Sequence, residues 1–475
     1  MRKYKRYLFF AILLLGILLA FSYTSLFENH NDTTSTKKGI NSKVMKEGST
    51  FKEKPNYHLT NALSNDNKVV KIVKKLLNHN VELRKFPFPY KSMLALCSDI
   101  DGTTLTEFLD YHRFLNSNAK TEYGTGLGLD VGDTFWMYVG DDDKGDFDFK
   151  NAKVKDEMSY WVGLNTNQLH NNKEIIKFIR NGWIDCIHTY GDFTMQEKNI
   201  VTFNKKYAAL AINELKKQNI YIKVWLDHGS PSNVQNFVSS NVYRFQKGDN
   251  PKSPYYHTNL LIPYGIKFGW GPTSSKFGYN SMIFPRRLKD GNKLWEFYRY
   301  SDSVNGKLIW DPEFIDTELS KQNLQSLINH HQYTIVAQHL GIRHNKIIFN
   351  QNAINALRYL DEQYLNHNIL VARTSRLLNY NLVQQYLNYK ATVNNNKMVI
   401  NILSVNDPLL GKFIPTINDL RGVTFYVDSP QQTQVLVNGK PIDLSYISYN
   451  PSDSTGRQSI SIKWFDKDLT DYTKF

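Results

Sequence analysis

The segment Met93-Leu-Ala-Leu-Cys-Ser-Asp-Ile-Asp-Gly-Thr-Thr104 is an apolar run closed by two carboxylates and a glycine. Such a run reads as a strand buried on both faces, which is the mark of a parallel sheet. Side chains alternate along a strand, so Cys97, Asp99 and Asp101 fall on one face. Two carboxylates side by side at the end of a buried strand repel each other. A bound cation relieves that, or one carboxyl kept as an acid or base. A single strand-end Asp would need no more explanation than capping the next turn. The pair predicts a functional role.

Downstream, helical and strand patterns alternate. Helices are predicted at 173–180, 207–218, 324–330, 352–366 and 375–389. Strands are predicted at 184–188, 220–226, 260–270, 333–339 and 369–374. Alternation over this length predicts an α/β fold with a parallel sheet, of a length that suits a closed barrel of about seven or eight strands spanning 81–390. Residues 275–320 break the rhythm and are expected to form an insertion over one end. The acidic run 140–146 lacks the ligand spacing of an EF-hand and is expected to be an exposed turn. From 391 to 475 short alternating strands, with Asn438-Gly439 as a hairpin turn, predict a small β-sandwich.

The N-terminus reads differently. Four basic residues in Met1–Arg6 precede an apolar stretch to about Phe27, the pattern of a signal-anchor or signal peptide. Phe21 and Tyr23 crowd the one cleavage position, after Ser22, which favours a retained transmembrane helix over 1–27. The positive flank then stays cytoplasmic and the bulk lies on the extracytoplasmic side. Residues 28–80, polar and rich in Asn, Ser, Thr and Lys, are expected to tether it. The net charge is +14, and 1–54 alone holds ten basic against four acidic residues. The rest is spread without a basic run or motif, so no nucleic-acid partner is expected. The two cysteines, Cys97 and Cys186, exclude a disulfide scaffold and a four-cysteine zinc site, and are read as buried thiols.

Polar residues stand at the C-terminal ends of successive predicted strands: Asp99 and Asp101, His188 and Asp192, Asp227 and His228, then His339. Parallel barrels carry their active sites at that end. His188 and Asp192, with a carboxylate from the first strand, would make three protein ligands and leave positions open for water and substrate.

These motifs resemble the polysaccharide deacetylase (NodB-like) family. Ser98-Asp-Ile-Asp-Gly102 is similar to its acidic first motif, with an isoleucine between the two acids. His188-Thr-Tyr-Gly-Asp192 is similar to its His-Ser/Thr-x-x-His motif, with Asp192 in place of the second histidine. Val336-Ala-Gln-His339 is similar to its late strand. The family's Arg-Pro segment is absent; Trp225-Leu-Asp-His228 stands in its place. The resemblance implies an irregular (β/α) barrel, with Asp99 as base and His339 as acid. It implies Asp101, His188 and Asp192 as ligands of a divalent metal, with zinc expected, and an acetylated cell-envelope polysaccharide as substrate. Asp227, His228, Trp225 and Trp270 are expected to line the site, and Trp136 to join a sugar-binding floor.

Two alternatives stay open. Asp99-Ile-Asp-Gly-Thr-Thr104 also resembles the opening motif of haloacid-dehalogenase-type phosphatases, with Asp99 as nucleophile. The departure at Asp192 also fits a non-catalytic glycan-binding or assembly protein on a degenerate barrel.

Overall fold

The computed structural model describes residues 81–138, 157–191, 193, 203–228, 233–238, 246–304, 307–342, 347–394 and 397–474. The expected anchor and tether, the acidic run 140–146 and Asp192 lie outside the described residues. Among the described residues no helix is long and apolar enough to cross a membrane. All of them belong to one compact unit, Lys68–Phe475.

Seven parallel strands make a nearly closed sheet: β1 (Ser92–Ser98), β2 (Cys186–His188), β3 (Val224–Leu226), β4 (Phe268–Ser274), β5 (Lys293–Tyr300), β6 (Tyr333–Gln338) and β7 (Ile369–Val371). Their order is β7-β1-β6-β5-β4-β3-β2. Strand β1 is wholly buried, as its apolar run predicts. It pairs with β6 along one edge, Tyr333 opposite Met93 through Gln338 opposite Ser98. Its other edge is shared. The first half pairs with β7, and the second half pairs with Gly132–Asp133. Asp133 also bridges Ile184 just before β2, which brings the sheet round to its start.

Alternation of side chains splits this sheet between two cores. Met93, Ala95, Cys97, Leu226, Phe297 and Ile335 point inside the barrel, in a cluster that continues into the C-terminal sheets. Leu94, Leu96, Ile187, Trp225, Leu294 and Val336 point out beneath the helices. Both cysteines are free and buried in the inner cluster.

The structure corrects two of the expected elements. The stretch 260–270 is not one strand: Thr258–Tyr264 is a helix, and β4 begins only at Phe268. Nor is 275–320 only an insertion. Lys293–Tyr300 is a barrel strand, parallel to β4 and flanked by the antiparallel strand Ile283–Arg287. A hairpin here replaces the usual crossover helix, and this is why the alternation fails.

The C-terminal strands form two sheets. One is Leu387–Asn394, Lys397–Asp407 and Thr433–Val437 with short partners, and the other is Thr424–Tyr426, Ser459–Ile462 and Ile447–Asn450. Asn438 and Gly439 both have positive φ and turn the expected hairpin. Glu82–Leu83 joins the second sheet from 340 residues upstream, where the Arg84 guanidinium also donates to Asp453. These sheets pack at the N-terminal ends of the barrel strands: the Trp295 indole donates to the Asp407 carboxylate at 3.2 Å.

Glu296 points outward from β5 and is 1% exposed. Its Oε1 has no hydrogen-bond partner, and Oε2 lies 3.7 Å from Arg286 Nε. Burial pushes its carboxyl up to about 7, with Arg286 pulling the other way. The folded chain therefore holds this proton more tightly than the unfolded chain. The stability it contributes is complete below the unfolded carboxyl range and falls as pH rises towards 7. Glu296→Gln should gain on the wild type between pH 5 and pH 8, approaching about 3 kcal/mol. Urea unfolding at both pH values checks this, and a pH-independent difference would contradict it.

Candidate metal centre

The site begins where β1 ends. Asp99 N–H donates to Gln338 O at 2.7 Å and Ile100 N–H to Thr134 Oγ1 at 2.9 Å, so the chain leaves the sheet under restraint. Gly102 then takes φ +63°, a conformation that glycine adopts without cost. Thr104 caps the helix Leu105–Asn116 in a capping box with Glu107. The two carboxylates are thus held over the C-terminal mouth of the barrel.

Asp101 meets two histidines. Its Oδ1 lies 2.7 Å from His228 Nε2 and its Oδ2 lies 3.0 Å from His188 Nε2. Oδ2 is buried, yet it accepts no hydrogen bond in acceptable geometry. One atom from each residue falls within 4.8 Å of the others. Ligands about 2.0–2.1 Å from a tetrahedral ion stand about 3.3 Å apart. One carboxylate and two imidazoles at this spacing can hold a metal ion. Asp101 is 20% exposed and His228 14%, so one side of the group faces outward. Burial would raise the Asp101 carboxyl, but His188 and His228 outweigh it and hold the carboxyl well below its ordinary range.

The strands place these histidines by their period of two. Cys186 and His188 share the inner face of β2; Val224, Leu226 and His228 continue that of β3. Trp136 stacks on the His188 ring at 6.1 Å and 10° and fixes its plane. Thr189, next in the chain, takes φ +51°. A β-branched residue is strained there, a cost often found beside functional groups.

Asp99 has a different partner. Arg299, from β5, grips it bidentately, Nη1 to Oδ1 at 2.8 Å and Nη2 to Oδ2 at 2.9 Å, and both side chains are buried. The guanidinium lies on the Trp270 ring at 4.2 Å. His339 Nε2 is 3.6 Å from Asp99 Oδ2, and its ring stacks on Trp310. Burial pushes Asp99 up; Arg299, then His188 and His339, outweigh it, so its carboxyl stays well below the ordinary value. For His339, burial is outweighed by Asp99 and Asp101, which raise it. Asp99, Asp101 and His339 also lie close enough to form a second ligand set. Arg299 already covers both Asp99 oxygens, however, and a second cation there would face the guanidinium.

The structure therefore brings together Asp99, Asp101, His188 and His339, as the sequence predicts. It adds His228, expected to line the site, as a ligand candidate, and it adds Arg299. Asp192 lies outside the described residues. Three expected lining residues are corrected. Trp225 is fully buried in the outer core, stacked on Phe237. The Asp227 carboxylate also turns outward and accepts from Trp225 Nε1, Phe237 N and Val238 N. Trp270 is buried beneath Arg299, below the site and not along it.

Compared with known proteins, the chain matches no family model and no curated sequence.

An unpaired buried charge costs far more than a paired one. Arg299→Met should destabilise the chain by about 3–5 kcal/mol. Adding Asp99→Asn should restore most of that loss, because the stranded carboxylate is then gone. Chemical unfolding of the single and double variants decides it, and equal losses in both would contradict the pairing.

Proposed function

We propose that the chain is a metal-dependent hydrolase that removes acetyl groups from a polysaccharide, in the manner of the polysaccharide deacetylases its motifs resemble. The observation that carries this is the convergence of Asp101, His188 and His228 beside an ionised Asp99 and a raised His339. Zinc suits one carboxylate and two imidazoles. Bound there, a divalent ion would supply Lewis acidity to a hydrolytic water and to the acyl carbonyl.

The chain's own residues divide the remaining work. Asp99 is anionic at neutral pH, and Arg299 orients it. It accepts the proton of the attacking water, the step for which the site offers this carboxylate. His339 carries a proton more readily than a free imidazole and sits 3.6 Å from Asp99. It donates that proton to the leaving amine or alkoxide of the sugar. Asp101, His188 and His228 take no proton in this scheme; they fix the ion. The phosphatase reading has less support, because it leaves His188, His228 and His339, which converge on the two carboxylates, without roles. The apolar segment after the basic N-terminus supports a place at a membrane, with this domain facing the envelope glycan.

Acetate release by the full chain from acetylated glucosamine oligomers and acetylated xylan tests the proposal. EDTA should abolish release, and added zinc should restore it. His339→Ala should lose about 10²–10⁴-fold on the glycan but little on 4-nitrophenyl acetate, whose leaving group needs no acid. Asp99→Asn should lose on both. No release from either glycan, with the chain still binding it, would replace the enzyme with the glycan-binding reading.

A further inference from the structure

At the opposite end of the barrel from the metal centre lies a cavity of about 280 Å³. Ile184-Asp185 and Ile222-Lys223, in its wall, lead into β2 and β3, whereas His188 and His228 leave those strands at the other end. Most of the rest of its wall comes from the helix Thr374–Tyr386 and from the C-terminal segments 418–421 and 464–465, with Ile179, Tyr221 and Arg373, the last paired with Asp130. The cavity exists only because the C-terminal sheets pack on the barrel.

Its chemistry is lopsided. Arg421 stacks on Tyr446 at 4.7 Å and on Phe465 at 5.5 Å. Phe465 also carries Arg376 at 3.8 Å, but that guanidinium is already paired with Asp130. Arg421 is not so engaged. Among the described residues its one hydrogen bond is to Lys463 O at 3.4 Å, its buried Nε has no partner, and no carboxylate is within ion-pair reach. The two acids in the wall are in use: Asp185 accepts Ser375 N–H at 2.7 Å, and Asp419 accepts Thr416 N–H at 3.0 Å and faces Lys223 at 3.8 Å. Trp464 and Tyr221 supply flat apolar faces, and Tyr221 is 61% exposed. Asn379 and Asn418 add amides suited to hydroxyl groups. A volume near the lower bound for small-molecule sites, about 300 Å³, suits a single ring rather than a peptide.

We propose that this cavity is a second binding site, for a carboxylated sugar unit of a glycan. The sugar carboxylate pairs with Arg421, and the ring lies against Trp464 and Tyr221. An aromatic face with amides at its edge takes the apolar side of a sugar and its hydroxyls. A planar guanidinium takes the carboxylate in a two-point grip. The inference does not depend on the hydrolase reading, since no residue is shared with the metal centre.

Calorimetric titration of the full chain with tetragalacturonate, and with neutral maltotetraose, tests it. Tetragalacturonate should bind and maltotetraose should not, and added salt should weaken the binding. Arg421→Gln should weaken it by about tenfold or more. Tyr221→Ala, at a largely exposed ring that stacks on Tyr264 at 5.9 Å, should weaken it with little change in unfolding temperature. His228→Ala should bind as the wild type does. The proposal is overturned if tetragalacturonate does not bind, if both cavity variants bind it normally, or if His228→Ala removes the binding. That last result would place the sugar at the metal centre.

Discussion

Two carboxylates leave the same buried strand two residues apart, and each must be compensated by a cation or a ligand before the barrel can close over them. Asp99 is answered by Arg299 from β5 and Asp101 by His188 and His228 from β2 and β3. Four strands, distant in sequence, are thereby tied to one point at the mouth of the sheet. The barrel geometry and the site are one problem with one solution. The strand order sets these partners opposite β1, and the period of two turns each of them inward.

The separation of partners also separates roles. A carboxylate gripped on both oxygens by a guanidinium is ionised, oriented and poorly able to take a second cation. A carboxylate faced by two imidazole nitrogens has the opposite character: with those nitrogens unprotonated, the lone pairs of all three would converge on one ion. The same residue type, at two positions of one strand, thus becomes an electrostatic anchor for His339 in one case and a candidate ligand in the other. Environment and not identity makes the division, as it does wherever paired acids share a site.

Much of this was legible in the sequence, and the exceptions have physical causes. The buried run and its two acids gave β1 and its orientation, and apolar strands ending in His gave His188 and His339. Arg299 was hidden because β5 follows β4 through a hairpin, so the helix–strand rhythm that reveals barrel strands is missing there. Within β5 the signal was nevertheless present: Trp295, Phe297 and Arg299 recur at the period that puts them inside. His228 is visible as a strand-end histidine expected to line the site, and its place beside Asp101 makes it a ligand candidate, whereas the four-residue spacing from His188 points to Asp192. Counting Val224, Leu226 and His228 along one face would have found it. Glu82–Leu83 could not have been read at all, since two residues carry no period and their partners, Tyr426 and Phe425, lie in a distant part of the chain.

Asp101, His188 and His228 are placed to hold one divalent ion together. Elemental analysis of the purified full chain after incubation with zinc, beside His228→Ala, tests this most directly. The account predicts about one ion per wild-type chain and none retained by the variant after dialysis, with both proteins equally folded. Wild-type protein that retains no ion, or a His228→Ala variant that retains it fully, would contradict the ligand set and the chemistry built on it.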